Sequence, residues 1–424
     1  MTGSLPRYRI LMFAPAFAPF ANPEAIVNSK LALAFLQAGW EVDVVTRDLA
    51  AESSYNYGSQ WIDPWLPLKE RTYFVTYPAG GRLARFCDTA VSMLKVGSGL
   101  EGCRWAAHAL ETGLRLHRAK PYQVVLSRSL PDSGHLPGLA FARRTGIPWV
   151  ANWNDATGEK NLAPYGKGAA GKLRFFEERL LREVSNRADL LTFPSERLRR
   201  HVCGYLPSSS TSKSTVVRHA ALSGTPAPTA GSERFVLCHA GHLSRFRRPE
   251  LFLEGLSDFL ATLADPSDVR FDIIGIQDED LMKVAETFGI GRHLNFIGCL
   301  SYRETLEKLA QSTVNVIVEA GIEEGIYLPA KFVDYVQAGR PILAIMPPQG
   351  EVGDLLNQHG GGIAVDCTSR EKIAQALGDL YRRYLTGELL NTFGPGCLYP
   401  LHAPETITET YGGIFARLLN GRGA

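Results

Sequence analysis

An excess of charge of one sign is the first thing this sequence lacks. Its 424 residues include 45 Lys or Arg and 43 Asp or Glu, a formal net charge of +2, too balanced for a dedicated nucleic-acid binder, although local basic patches remain open. Paired cysteines are missing as well. Cys87, Cys103, Cys203, Cys238, Cys299, Cys367 and Cys397 are scattered, with no Cys-x-x-Cys and no Cys/His spacing suited to zinc. That excludes a disulfide framework and a zinc module and fits reduced thiols in a cytoplasmic protein. No charge-free stretch reaches the roughly 20 residues that span a bilayer. The leader-like run Ile10 to Phe20, behind Arg7 and Arg9, is interrupted by Pro15 and Pro19 and reads instead as a buried first strand, Arg9 to Phe13. Familiar catalytic signatures are absent too. There is no Gly-x-Ser-x-Gly nucleophile turn and no Asp-x-Asp pair at a strand end, and the first strand is not followed by the Gly-x-Gly-x-x-Gly turn of a nicotinamide oxidoreductase.

What is present is a β/α alternation, stated twice. After the first strand, Glu24 to Gln37 carries Ile26, Leu31, Leu33, Ala34 and Phe35 at spacings that suit a packed helix, and Gly39 stops it. Glu41 to Thr46 then reads as a second strand, so the opening is a β-α-β unit and implies a parallel sheet. The same grammar gives a strand at Val124 to Ser127, a helix at His135 to Arg144, and strands at Pro148 to Asn152 and Asp189 to Phe193. Between the second strand and Tyr122 the pattern is irregular and is assigned no element.

From Leu206 to Arg234 the composition turns to Ser, Thr, Pro and Ala, as a linker does. Beyond it come strands at Phe235 to His239, Arg270 to Ile274, Leu294 to Ile297, Val314 to Val318 and Pro341 to Ala344, then a terminal helix over Pro404 to Leu419 with no strand after it. The organisation expected is an N-terminal domain over 1–218, a linker over 219–234, a C-terminal domain over 235–403 and a helix in 404–424 that docks back across the domains. The fold class is α/β, two Rossmann-like domains facing across a cleft, with ligands at the carboxyl ends of the strands.

Two turns in the C-terminal half carry phosphate chemistry. Gly241 directly follows an apolar strand, and Gly241 to Glu250 (GHLSRFRRPE) leads into a helix near Pro249, so backbone N–H groups and a positive helix end meet Arg245, Arg247 and Arg248. Such a cluster can hold a departing diphosphate by charge-assisted bidentate bonds. Gly325 and Leu328-Pro329 likewise sit between a strand and the helix Ala330 to Ala338. On that helix Lys331 and Asp334 are three positions apart, which also suits an exposed ion pair. In the N-terminal half, His135 and the run Asn152-Trp-Asn-Asp155 lie at strand ends; His135 suits a capping or surface role equally well. Asn22, Pro23 and Glu24 occupy the loop after the first strand, and of a role at a ligand there and a helix N-terminal charge, Glu24 favours the second. The basic, aromatic segments Arg82 to Lys95 and Lys172 to Arg182 suit an anionic lipid surface or an ordinary packed helix, and Glu177 and Glu178, which dilute the basic face, favour the packed helix.

Taken in order, FAPFANPEAIVNSKLALAFLQAGWEVDVVT, VVLSRSLPDSGHLPGLAFARRTGIPWVANWND, RADLLTFPSERLRR, HAGHLSRFRRPELFLEGL, RFDIIG, NFIGCLSYRETLEKLAQSTVNVIV and GIYLPAKFVDYVQAGRPILA resemble the retaining glycosyltransferases of the GT-B plan, family 4, over nearly the whole chain. The resemblance implies a nucleotide-sugar donor, a saccharide or lipid-linked acceptor, retention of configuration, no bound metal or other cofactor, and a cytoplasmic enzyme at the inner face of the membrane with peripheral membrane contact and no nucleic acid partner. It places Gly241, Arg245, Arg247, Glu324, Gly325, Lys331 and Asp334 on the donor, with Lys331 at phosphate and Asp334 at the ribose, and Asp155 and His135 on the acceptor side. The chain departs from the family at His242, where an Arg is usual, at Arg247 for Lys, at Asn154 for His, and at Asp334 for Glu. The departures at His242, Asn154 and Asp334 keep open a catalytically degenerate GT-B binding or scaffold protein, and a nucleotide-sugar 2-epimerase, which shares the twin-Rossmann plan and binds the same nucleotide, is the other reading.

Overall fold

Apolar strands alternating with helices close into two separate sheets in the computed structural model, which describes residues 7–20, 22–48, 63–76, 81–156, 162–163, 175–224, 233–243 and 247–421. The first sheet is built from β1 (Arg9–Phe13), β2 (Glu41–Arg47), β3 (Thr72–Val75), β4 (Val124–Ser129), β5 (Trp149–Trp153), β6 (Leu190–Phe193) and β7 (Ser214–Val216). Its order is β3-β2-β1-β4-β5-β6-β7, parallel throughout. Around it lie α1 (Pro23–Gln37), α2 (Arg82–Val96), α3 (Cys103–Ala119), α4 (His135–Thr145), α5 (Phe175–Arg187), α6 (Glu196–Tyr205) and the single turn α7 (Ser209–Ser212).

The second sheet uses β8 (Phe235–Ala240), β9 (Val269–Ile274), β10 (Leu294–Gly298), β11 (Val314–Val318), β12 (Ile342–Met346) and β13 (Gly362–Asp366). It runs β10-β9-β8-β11-β12-β13, again parallel. Its helices are α8 (Pro249–Ala261), α9 (Glu279–Thr287), α10 (Tyr302–Gln311), α11 (Ala330–Ala338), α12 (Glu351–His359), α13 (Arg370–Leu385), α14 (Leu389–Phe393) and α15 (Tyr399–His402). The last helix, α16 (Pro404–Asn420), belongs to the first unit, which takes the described residues of Met1–Asn161, Gly166–Ala220 and Pro404–Ala424; the second takes those of Leu162–Tyr165 and Ala221–Ala403. In each sheet the strand order reverses at one place, between β1 and β4 and between β8 and β11. At such a point the flanking connections leave for opposite faces and open a crevice at the carboxyl ends.

Helix α1 shows why its segment is apolar on every side. Asn22 caps it by accepting the Ala25 N–H at 2.7 Å, and Gly39 ends it at φ +78°. One face lies on the sheet and α16 covers another: Phe35 meets Trp40 at 5.1 Å and Tyr411 at 5.1 Å, and Phe415 sits 5.4 Å from Tyr8 and 5.7 Å from Trp40. A helix buried on opposite sides has no polar stripe.

Three expectations change. The irregular stretch before Tyr122 contains β3, α2 and α3. Helix α3 buries Trp105, Leu110 and Leu116 together with Ala106, Ala109 and Gly113, and a Cβ on Gly113 would stand 2.7 Å from Phe13 Cζ, so small residues let its apolar face approach β1 closely. The Ser-rich start of the proposed linker forms α7 and β7, with buried Ser210 bonded to Ser185 at 2.5 Å. Strand β13 hides behind Gly360-Gly361-Gly362, which reads as a turn; a Cβ on Gly362 would lie 2.0 Å from Ile342 O, so the glycine permits the β12 pairing. Among the described residues no helix is long and apolar enough to cross a membrane.

Candidate functional site

In the second unit the crevice between β8 and β11 collects the charged groups. His239, at the end of β8, is fully buried, and its Nδ1 lies 2.8 Å from Val316 O. A carbonyl only accepts, so Nδ1 carries the proton and Nε2 presents its lone pair to Lys331 Nζ at 3.2 Å. Burial, reinforced by Lys331, holds the imidazole neutral. Burial and the neighbouring Arg247 bring Lys331 down to about 7, against the opposing pull of Glu319 and Asp334. Arg247 reaches Glu319, one residue beyond β11, at 3.8 Å.

Gly241 has φ +103°, and a Cβ there would stand 3.4 Å from Lys331 Nζ. The missing side chain therefore leaves the space over the lysine open. Its N–H, however, donates to Ile274 O at 2.8 Å, and the Gly325 N–H donates to Gln349 O at 2.8 Å. Neither glycine offers its amide to an anion, contrary to the expectation from the sequence. Gly325 instead packs on Gly350, where a Cβ would come within 3.1 Å of the Gly350 Cα. The open amides are those of Ala330 and Lys331: α11 begins at Pro329 with no side-chain cap, and neither N–H has a partner among the described residues.

Helix α11 is pinned by its own side chains. Tyr335 Oη accepts the Ala240 N–H at 2.8 Å, and Tyr302 Oη donates to Asp334 Oδ1 at 2.5 Å. Lys331 and Asp334 thus point to different partners, and no ion pair joins them. His242 is exposed, 3.7 Å from Asp278, and Glu324 is half-buried in the loop before Gly325. Arg245 lies outside the described residues. Arg248 caps α8 at φ +47°, the one non-glycine among the described residues in that region, an uncommon backbone state that clusters at ligand loops.

In the first unit the crevice between β1 and β4 holds a connected polar network. Buried Arg128, near the end of β4, donates from Nε to Asn28 Oδ1 at 2.6 Å and from a terminal nitrogen to Asn154 Oδ1 at 3.1 Å. Both asparagines turn their amides to Glu24 Oε1, Asn154 at 2.6 Å and Asn28 at 3.1 Å, and Asn28 Nδ2 also donates to Ala16 O at 2.9 Å. Desolvation raises the Glu24 carboxyl to about 7, with nearby Asp155 adding to the effect and Arg128 opposing it. Asp155 is half-buried and accepts the Ala156 N–H at 2.8 Å. His135 is different. It is completely buried, its Nδ1 2.9 Å from Ser127 Oγ and its ring 4.5 Å from that of Trp153. Burial brings it to about 3, so it is neutral and out of reach of solvent. It is a core side chain, and the acceptor-side role expected of it is withdrawn.

Against known proteins, the glycosyl transferase 4-like domain family matches residues 25–208. Solved structures extend the likeness along the chain. Anabaena Alr3699/HepE, solved with UDP and glucose, superposes with a TM-score of 0.64 at 12% identity, over 97% of this chain and 100% of that one. Sucrose-phosphate synthase from Thermosynechococcus elongatus gives 0.69 at 13%, over 98% and 100%. TarM gives 0.66 at 10%, over 96% and 98%. No curated protein matches the sequence.

The whole chain has the GT-B fold, two Rossmann-like domains, as its two parallel sheets already indicated. Sequence reasoning found Gly241, Arg247, Lys331 and Asp334, which the fold brings to one crevice. It missed His239, Glu319 and Tyr302. His239 sits inside an apolar strand and reads as core until α11 is folded against it; Tyr302 comes from a helix about 30 residues upstream of its partner. It also gave Glu24 a role at a helix end, where the structure gives it two side-chain amide donors from two elements.

Proposed function

We propose that this chain transfers a sugar from a nucleotide-sugar donor to a hydroxyl of a saccharide or lipid-linked acceptor, in polysaccharide or glycolipid assembly. The observation that carries the reading is the crevice of the second unit, where Lys331, Arg247, the open amides of Ala330 and Lys331 and the bare face of Gly241 converge beside β8 and β11. That is a receptor for a diphosphate. Asp334, one turn further along α11, suits ribose hydroxyls. The leaving diphosphate gains charge as the sugar departs, and preorganised cations and amides stabilise that change most. They also supply the positive charge a metal would otherwise bring, so the reaction runs without one. HepE, solved with UDP and glucose, supports a uridine donor.

The finer reading of the acceptor rests on α2. Leu83 is 78% exposed, Phe86 71% and Leu94 84%, flanked by exposed Arg82 and Arg85. Met93 and Phe176 meet over Gly99, which brings α5 with exposed Phe175, Arg179 and Arg182 to the same side. The later turns of α2 pack on α3, where Asp88 accepts from Arg104 and meets His108, while its start leaves Leu83 and Phe86 exposed. An apolar strip rimmed by arginines suits an anionic lipid surface, so we read this face as the peripheral membrane contact.

The test is calorimetry of the purified protein against UDP-, GDP- and dTDP-sugars, with NAD and ATP as controls, repeated on Lys331→Ala and Asp334→Ala. Binding of one sugar nucleotide, lost in both variants, sustains the assignment. Binding that survives both changes overturns it, and no binding at all favours a degenerate scaffold.

A further inference from the structure

His239 stands where the second sheet forks. The pairing between β8 and β11 ends at Cys238 and Asn315. The Val316 carbonyl, next along β11, therefore meets the His239 ring instead of a backbone amide and accepts from Nδ1 at 2.8 Å. That bond fixes the ring plane and the tautomer together. The fully buried ring then aims the lone pair of Nε2 at Lys331 Nζ on α11, 3.2 Å away. A side chain held for packing alone needs neither bond: the rest of β8 from Phe235 to Cys238 is apolar, and an apolar residue fills such a fork without the cost of burying ring nitrogens.

The lysine is drawn in several directions. Arg247 repels it, while Glu319 and Asp334 attract it; Asp334 is bonded to Tyr302, and Arg247 lies 3.8 Å from Glu319. Among the described residues His239 Nε2 alone hydrogen-bonds to Nζ, and it is neutral. A carboxylate in its place would form an ion pair that an anion must displace. A neutral acceptor takes one hydrogen of the ammonium and leaves its charge and its other two hydrogens to a ligand.

We infer that His239 is a positioning residue for the donor diphosphate: Nε2 holds Lys331 Nζ over Gly241, against the repulsion of Arg247, with two ammonium hydrogens turned to the anion. The inference rests on the glycosyl-transfer reading above, which supplies the diphosphate. His239 touches no ligand itself and acts through Lys331.

The two ring nitrogens can be tested apart. Asparagine places its amide where Nδ1 stands, so His239→Asn keeps a donor for Val316 O and loses the contact with Lys331. Glutamine reaches the position of Nε2, so His239→Gln restores an acceptor for Nζ and gives up the bond to Val316. Calorimetry of UDP, GDP and dTDP identifies the nucleoside diphosphate that the wild type binds, and that one is titrated into each variant after a thermal scan for folding. Expected are a loss of about tenfold in His239→Asn, the lower end for a hydrogen bond to a charged group, and retention of most of the affinity in His239→Gln. On a Lys331→Ala background His239→Asn is expected to cost nothing further, because the group it positions is gone. Wild-type affinity in His239→Asn overturns the inference. So does a loss in His239→Gln as large as in His239→Asn, which marks the Val316 bond as what matters, and so does an equal loss with and without Lys331. Should His239→Asn not fold, His239→Phe, which keeps a ring and has no acceptor, takes its place in each comparison. If none of the three nucleotides binds the wild type, the glycosyl-transfer reading falls and this inference with it; failure at His239 alone leaves that reading standing.

Discussion

Lys331 Nζ stands 3.2 Å from His239 Nε2, an acceptor locked in place because its other nitrogen donates to Val316 O. The contact keeps the lysine over Gly241 without neutralising it by a carboxylate, so its charge is available to an incoming anion. In the empty site Lys331 ionises near 7; a bound diphosphate favours the charged form and raises that value. Below pH 7 the lysine is already protonated and binding takes up no proton. Above it, binding of UDP takes up a proton, and affinity falls by up to about tenfold per pH unit. Calorimetry of UDP in buffers of different ionisation enthalpy checks this: proton uptake of zero at pH 8 would rule the linkage out. Lys331→Ala is expected to weaken UDP binding by about 10- to 100-fold, the range for a charge-assisted hydrogen bond.

His135 is expected to matter for stability and not for turnover. His135→Ala leaves a cavity beside Trp153 and an unpartnered bond at Ser127, a loss of about 2–4 kcal/mol in urea denaturation. The wild-type imidazole titrates near 3 in the folded protein and near 6.5 when unfolded. Its contribution is fully present above about pH 6.5 and lost as pH falls from there toward 3, because the unfolded chain takes up the proton first. The variant should lack that part of the acid slope. A large fall in activity per folded molecule would return His135 to the catalytic site.

Helix α16 holds the first unit together through Phe415, whose ring contacts Tyr8, Phe35, Trp40 and Tyr411. Phe415→Ala is expected to cost about 3–5 kcal/mol, seen as a lowered urea midpoint. A change under about 0.5 kcal/mol, typical of surface sites, would mean that the helix is not an integral part of this core.

On α2, the double change Leu83→Glu with Phe86→Glu removes exposed apolar surface and adds like charge to an anionic membrane. Stability should stay within about 0.5 kcal/mol, since neither side chain is buried. Co-sedimentation with phosphatidylglycerol vesicles should fall at least tenfold, by roughly 1.5 kcal/mol or more of lost burial per large side chain. Equal sedimentation of both proteins would remove this face from consideration.

The crevice of the second unit was more legible than that of the first for a physical reason. Gly241, Arg247, Lys331 and Asp334 belong to strand-to-helix turns, in which spacing along the chain nearly dictates position, so reading the turns locates the residues. Glu24 and Asn28 on α1 meet Arg128 on β4 and Asn154 just after β5, partners 100 to 130 residues further along the chain, and only the parallel order β1-β4-β5 brings them side by side. Nothing in PEAIVNS distinguishes a carboxylate that ends in a network from one that ends in water. His135 shows the converse. Its place at a strand end looked accessible, yet the Trp153 ring closes over it.

By itself the sequence determined the class of fold, the alternation that produces two parallel sheets, most strand positions and the glycine-bearing strand-to-helix turns at Gly241 and Gly325, because these follow from local periodicity and from glycine and proline placement. It left open α3, whose core face interleaves Trp105, Leu110 and Leu116 with Ala106, Ala109 and Gly113, and the strands β3, β7 and β13, which are short and, for β13, begin at a run of glycines. Tertiary structure alone decided which buried groups ionise and which amides remain open. Those properties depend on desolvation and on partners supplied from distant parts of the chain, as His239 does for Lys331 and Asn154 does for Glu24.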